Sequence, residues 1–168
     1  MDHLWAPWRM ELIEQGAQPQ GCIFCDLPRS PQDRENLVLG RSGSAFAILN
    51  RFPYNNGHLM VVPRSHVPEL AGLPREENEE LAEKLRVAVR LLGQAYGAHG
   101  YNLGMNLGRV AGAGIADHLH WHVVPRWNGD TNFMPVLGQT KVMIEHLQAS
   151  WDRLRPLFDA HFSTVKSW

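Results

Sequence analysis

The chain is poor in features that would tie it to a membrane, to nucleic acid or to an oxidising compartment. No apolar run approaches the roughly 18 residues that a membrane span needs. The start, "MDHLWAPWRMELIEQG", lacks the charged head, apolar middle and small-residue cleavage site of a signal peptide. The formal net charge is −1, so no global basic field draws the chain to nucleic acid or an anionic surface. Only 2 cysteines occur, both in "CIFC", which suits a reducing cytoplasm and points to metal or redox chemistry rather than a disulfide framework. No internal repeat, low-complexity tract or composition break divides the 168 residues, a length that suits one domain spanning 1–168.

What is present is periodic. Short β-like runs fall at 36–41, 44–50 and 58–65, the last two joined by "RFPYNNG", whose Pro, Asn and Gly make turns. From Arg75 to about Tyr96 the period becomes helical, with Leu81, Leu85, Ala88 and Leu92 on one stripe and the Glu-rich run 76–83 as a solvated face. Runs 101–108 and 118–126 read as strands flanking the Gly-rich "GRVAGAGIAD", and a second amphipathic helix is expected over about 140–161. Strands, helix, strands, helix with short connections predict an α+β fold with a mainly antiparallel sheet, because too few crossovers exist for a parallel one.

"HLHWHVVPRW" (118–127) carries a histidine at every second position three times. Alternate strand residues share a face, so His118, His120 and His122 line one side, while Leu119, Trp121 and Val123 turn to the core. A single histidine there would be an ordinary exposed polar position; three in register ask for chemistry. Two readings stay open: a metal site, or a phosphorylated substrate with one imidazole as nucleophile. A row about 13 Å long does not close around one ion without a strong bend, so at most one end of it binds metal with other partners. Upstream, "NLGRVAGAG" supplies Asn106, Arg109 and glycines whose main chain can approach a phosphate, although it is neither a Walker loop nor a dinucleotide fingerprint.

These residues bear a resemblance. "HLHWHVV" is similar to the His-x-His-x-His-x-x signature of the histidine triad (HIT) superfamily of nucleotide hydrolases and transferases. With "CIFC", "FAILNRFPYNNGHLMVVPRSH", "NLGRVAGAGIADHLHWHVVPRWNGDTNFMPV" and "LWAPWRM", most of the chain looks like the bacterial branch containing diadenosine tetraphosphate (Ap4A) phosphorylases. The resemblance implies a HIT-like fold of about five strands with one long and one C-terminal helix. It makes His120 the nucleophile that forms a nucleotidyl-histidine on an α-phosphate, and sets His122 and His58 at the phosphate. Asn50 takes the ribose position, and Ile23, Phe24, Phe46 and Leu49 are candidate base-pocket walls. Where many members carry Gln and then Ser or Thr before the triad, this chain has Gly114 and Ile115, leaving main-chain N–H groups and room that orthophosphate can fill. Arg126 and Trp127 are candidates for the distal nucleotide by charge and stacking.

For metal, a C-x-x-C pair needs two more ligands. Zinc-bearing relatives imply His66 and His118, so Cys22, Cys25, His66 and His118 are expected to hold one structural Zn²⁺ in a knuckle over about 20–30. Trp5 and Trp8 are expected in packing or subunit contact, and His3, His99, His146 and His161 at the surface. The resemblance implies a homodimer or higher assembly acting on a dinucleoside polyphosphate, by phosphorolysis with orthophosphate as acceptor. A hydrolase of such compounds, of nucleoside phosphoramidates or of adenylyl sulfate is the second enzyme reading, and a non-catalytic nucleotide-binding regulator the third.

Overall fold

The computed structural model describes residues 21–162; His3, Trp5 and Trp8, and what is expected of them, lie outside these. A short helix α1 (Ile23–Asp26) and α2 (Asp33–Asn36) precede strands β1 (Val38–Arg41), β2 (Ala45–Leu49) and β3 (Leu59–Pro63). The long helix α3 (Arg75–Tyr96) leads to β4 (Gly100–Gly104) and β5 (Trp121–Arg126), followed by α4 (Met134–Leu137) and α5 (Leu147–Phe162). The strands form one sheet in the order β1-β2-β3-β5-β4, and every neighbouring pair is antiparallel. The α+β fold with a long and a C-terminal helix is therefore as expected. No helix among the described residues is long and apolar enough to cross a membrane.

β2 and β3 are buried along their whole length, because both sheet faces are covered. Pairing fixes the faces: Leu49, Leu59 and Val123 stand opposite one another, as do Ile48, Met60 and His122 on the alternate set. The first set faces α3 and α5. Leu81, Ala88, Leu91 and Leu92 of α3 and Leu154, Phe158 and Phe162 of α5 bury there. The second set carries His122, and on that side Phe24 of α1 meets Phe46 edge-on at 6.3 Å. Helices on one face thus build a rigid support, and the chemistry sits on the other.

Three boundaries differ from the sequence reading, each for a physical reason. β5 begins at Trp121 rather than 118, because the Leu119 N–H goes to the Val67 carbonyl beyond the end of β3 (2.8 Å). β4 ends at Gly104, where the Gly-rich loop takes over. α5 begins at Leu147 rather than about 140, because Glu145 accepts the Ser150 hydroxyl (2.7 Å) and so organises the first turn from outside it. The Glu-rich face of α3 is not wholly solvated either. Glu77 is buried and accepts the Ser65 N–H (2.7 Å) and hydroxyl (2.5 Å), and Glu80 accepts the Ser44 N–H (3.1 Å).

α5 reaches β1 closely only because position 40 has no side chain: a Cβ there would sit 2.7 Å from the Phe162 Cβ. Gly40→Ala is expected to destabilise the fold by about 1–3 kcal/mol through overpacking, checked by the denaturant midpoint; an unchanged midpoint would show that α5 shifts freely.

Candidate functional site

Two clusters meet at residues 118–122. The first begins at α1, where the Cys25 N–H donates to the Cys22 carbonyl (2.9 Å) and the single turn brings both sulfurs to one side. His66 follows β3, and the bend at Asp117 and His118 brings His118 beside it. The Cys22 Sγ lies 3.3 Å from the His118 Nδ1, the Cys25 Sγ 3.4 Å from the His66 Nδ1 and 3.6 Å from the His118 Nδ1. One ligand atom from each of the four lies within 4.8 Å of all the others, which is the spacing of a tetrahedral shell with metal bonds of about 2.0–2.3 Å. The His118 Nε2–H is spent on the Pro63 carbonyl (2.9 Å), leaving Nδ1 as the ligand atom. Burial, and then the neighbouring Cys22, push the Cys25 thiol up to about 11, so two thiolates side by side are unfavourable here unless a cation joins them. The four residues expected as ligands are thus brought together and can hold a metal ion.

The second cluster is imidazole chemistry with every proton assigned by its partners. His120 is buried, and its Nδ1–H donates to the His118 carbonyl at 2.9 Å, which leaves a lone pair on Nε2. Burial holds its pKa below the ordinary value, so the ring is neutral and nucleophilic at physiological pH. The Phe24 ring packs 5.0 Å from it, between His120 and the core. The His122 ring stands 5.0 Å from that of His120 at 76°. His58 is fully buried at the start of β3, and the Tyr54 N–H donates to its Nδ1 (3.0 Å). An acceptor Nδ1 places the His58 proton on Nε2, which donates to the His122 Nδ1 at 3.0 Å. His122 in turn carries its proton on Nε2, which leaves that N–H as a donor. Burial first, then His122 and Lys141, lower the His58 pKa to about 3, so this relay starts from a neutral ring.

Around these, a cavity of about 550 Å³ is lined by His122, Tyr54, Asn102, Asn106, Arg126 and Lys141, among others. Asn106 closes the Gly-rich loop by donating to the Gly112 carbonyl (3.3 Å), and Gly108 and Gly112 take positive φ (80° and 88°) that only glycine adopts without strain. Gly114 is exposed at the turn and Ile115 packs against the core, so neither offers a polar side chain. Asn50 follows β2 beside His58, its amide 3.4 Å from the imidazole. Leu49 lies on the helix-facing side of the sheet, away from His122. Trp127 donates its indole N–H to the Tyr96 carbonyl (3.2 Å) and meets that ring edge-on, so it packs on the end of α3 rather than lining the cavity. Arg126 lines the cavity but is held by both carboxylate oxygens of Asp130 (2.6 and 3.0 Å). Sequence reasoning missed Tyr54, which acts through its main chain, and Lys141, which no motif marks.

The HIT domain family matches residues 32–129, and the chain belongs to that family. It is 40% identical to the AP-4-A phosphorylase of Mycobacterium tuberculosis over 160 residues, which cover 88% of this chain and 80% of that protein. It is 29% identical to an adenosine 5'-monophosphoramidase of Schizosaccharomyces pombe, covering 64% of this chain and 75% of that one. Among solved structures it resembles a Zn-bound histidine triad family protein from Mycobacterium smegmatis, with TM-score 0.66 and 25% identity, covering 86% of this chain and 98% of that one.

His58 carries a consequence for stability. Above about pH 6.5 neither the folded nor the unfolded state protonates it; below that, the unfolded chain gains a proton that the folded one refuses. The unfolding midpoint is expected to fall as pH drops from about 6.5 toward 4, with His58→Gln flattening that limb. A wild-type midpoint constant over this range would mean that His58 takes up its proton without cost.

Proposed function

We propose that the protein cleaves dinucleoside polyphosphates of the Ap4A type at an α-phosphate through a nucleotidyl-His120 intermediate, with orthophosphate as the acceptor. The observation that carries this reading is the fixed tautomer of His120: Nδ1–H on the His118 carbonyl, Nε2 with its lone pair, in a buried neutral ring. The Nε2 attacks the α-phosphorus and the bond to the bridging oxygen breaks, releasing the nucleoside triphosphate. The positive charge formed on His120 is shared with the His118 carbonyl through Nδ1–H, and the His122 Nε2–H donates to the phosphate or the departing oxygen. A phosphate oxygen then attacks the same phosphorus, frees His120 and gives a nucleoside diphosphate. Asn50, His58, Asn106 and the main chain of Gly114 and Ile115 are the proposed substrate contacts.

The donor set of two sulfurs and two imidazoles favours zinc over harder cations, and we assign it to Cys22, Cys25, His66 and His118. Bound there, the ion supplies a cross-link between α1, the end of β3 and the residue whose carbonyl orients His120. A homodimer or higher assembly fits β4, which pairs only with β5 at the sheet edge and leaves Leu103 half exposed. The likeness to a phosphoramidase supports the runner-up, in which the same histidine expels an amine and water is the acceptor.

Product analysis separates the two. Diadenosine tetraphosphate is expected to yield ADP and ATP only when phosphate is supplied; AMP and ATP without phosphate would replace phosphorolysis by hydrolysis. His120→Asn is expected to lower turnover by about 10³-fold or more while retaining nucleotide binding; near-normal turnover would remove His120 from the nucleophile role. Elemental analysis is expected to give about one zinc per chain, and chelation to lower the unfolding temperature. Well under one equivalent in carefully purified protein would count against the zinc assignment.

A further inference from the structure

Residues 131–146 run from β5 to α5, beyond residue 129, where the family match ends. This strap is pinned at both ends. Asp130 holds Arg126, the Asn55 amide (2.9 Å) and the Trp127 N–H (3.3 Å). Glu145 accepts the Tyr96 hydroxyl (2.7 Å), the Ser150 hydroxyl and the Arg153 guanidinium (3.0 Å). Between these anchors Lys141 reaches back across the cavity wall, its Nζ donating to the Tyr54 carbonyl and the Asn55 Oδ1.

The charges lining that cavity do not cancel. The Arg126 cation is matched by Asp130 in a two-bond pair. His58 is neutral and donates to the His122 Nδ1. Both partners of Lys141 are neutral oxygens, and no ion pair joins it to a carboxylate among the described residues. An ammonium has three donors, and two of them are used. One N–H and a whole positive charge therefore remain in a space of about 550 Å³ that also holds His122, Asn102, Asn106 and Thr131. Burial lowers the Lys141 pKa against the opposing pull of Asp130, and Lys141 in turn depresses that of His58, so the cation lies within electrostatic reach of the relay. An anionic oxygen would relieve this cost, and a compact ammonium suits a phosphoryl group bound as a point charge.

We propose that Lys141 is a specificity-determining residue that binds an anionic phosphoryl group seated beside His122, selecting reactions with a charged polyphosphate tail or an orthophosphate acceptor over those with an uncharged leaving group. This deepens the proposed function and rests on it for the identity of the substrate. The two phosphoryl sources share one chemistry and differ in kinetics: loss of tail binding lowers kcat/KM for the dinucleotide, and loss of acceptor binding raises the KM for phosphate.

The test compares wild type, Lys141→Met and Lys141→Arg on diadenosine tetraphosphate at varied phosphate and on adenosine 5'-phosphoramidate, whose leaving group is uncharged. Lys141→Met is expected to lose about tenfold or more in one of the two tetraphosphate parameters, with phosphoramidate turnover within about twofold of wild type and Lys141→Arg largely restored. Equal losses on both substrates would reduce Lys141 to a prop for Tyr54 and Asn55 and overturn the proposal, as would no loss on either. If wild type fails to turn over the tetraphosphate, the functional reading falls, and Lys141 is decided by calorimetry with inorganic tripolyphosphate. Binding by wild type that Lys141→Met loses would uphold the phosphoryl site; equal binding, or none, would overturn it.

Discussion

His118 donates its Nε2–H to the Pro63 carbonyl and lends its own carbonyl to the Nδ1–H of His120, both at 2.9 Å. Its remaining nitrogen faces Cys22 and Cys25. One residue thus orients the Cys/His cluster, ties it to the end of β3 and sets which nitrogen of His120 carries a lone pair. The arrangement is possible because Leu119 pairs with Val67 and not in the ladder, which bends the chain before β5 begins. A straight strand would have spread three imidazoles along one face with no means of giving them different work.

Burying His58, His118 and His120 is costly, and the structure meets the cost mainly with direction, Glu77 adding its charge only near His118. Each ring has a backbone or imidazole partner that dictates its tautomer, and desolvation keeps each neutral. Rings with assigned protons form a directional chain from the Tyr54 N–H through His58 to the Nε2 of His122. The direction comes from a main-chain group that can only donate.

Much of this was legible in the sequence. The period of α3 gave its bounds, because Leu81, Ala88 and Leu92 must share a face. The alternation at 118–122 marked where the histidines gather, and the family resemblance pointed to His66, which the fold brings beside Cys25 and His118. What was not legible depended on partners remote in sequence. The Leu119–Val67 bond, which shortens β5, leaves no local mark. Glu77 looks like any solvated helix glutamate until Ser65 is folded against it. The delayed start of α5 follows from Glu145 and the reach of Lys141, side chains whose periodicity resembles a helix.

Glu145 joins the C-terminal end of α3, the first turn of α5 and the strap in one knot of hydrogen bonds. The cavity wall is consequently not a detachable loop. A graft of residues 131–146 onto another sheet would leave behind the helix pair that aims it, whereas divergence in how α5 packs on α3 re-aims the wall without changing a single residue inside it. In such an architecture, the shape of the cavity wall can drift through helix packing while the histidines stay where they are.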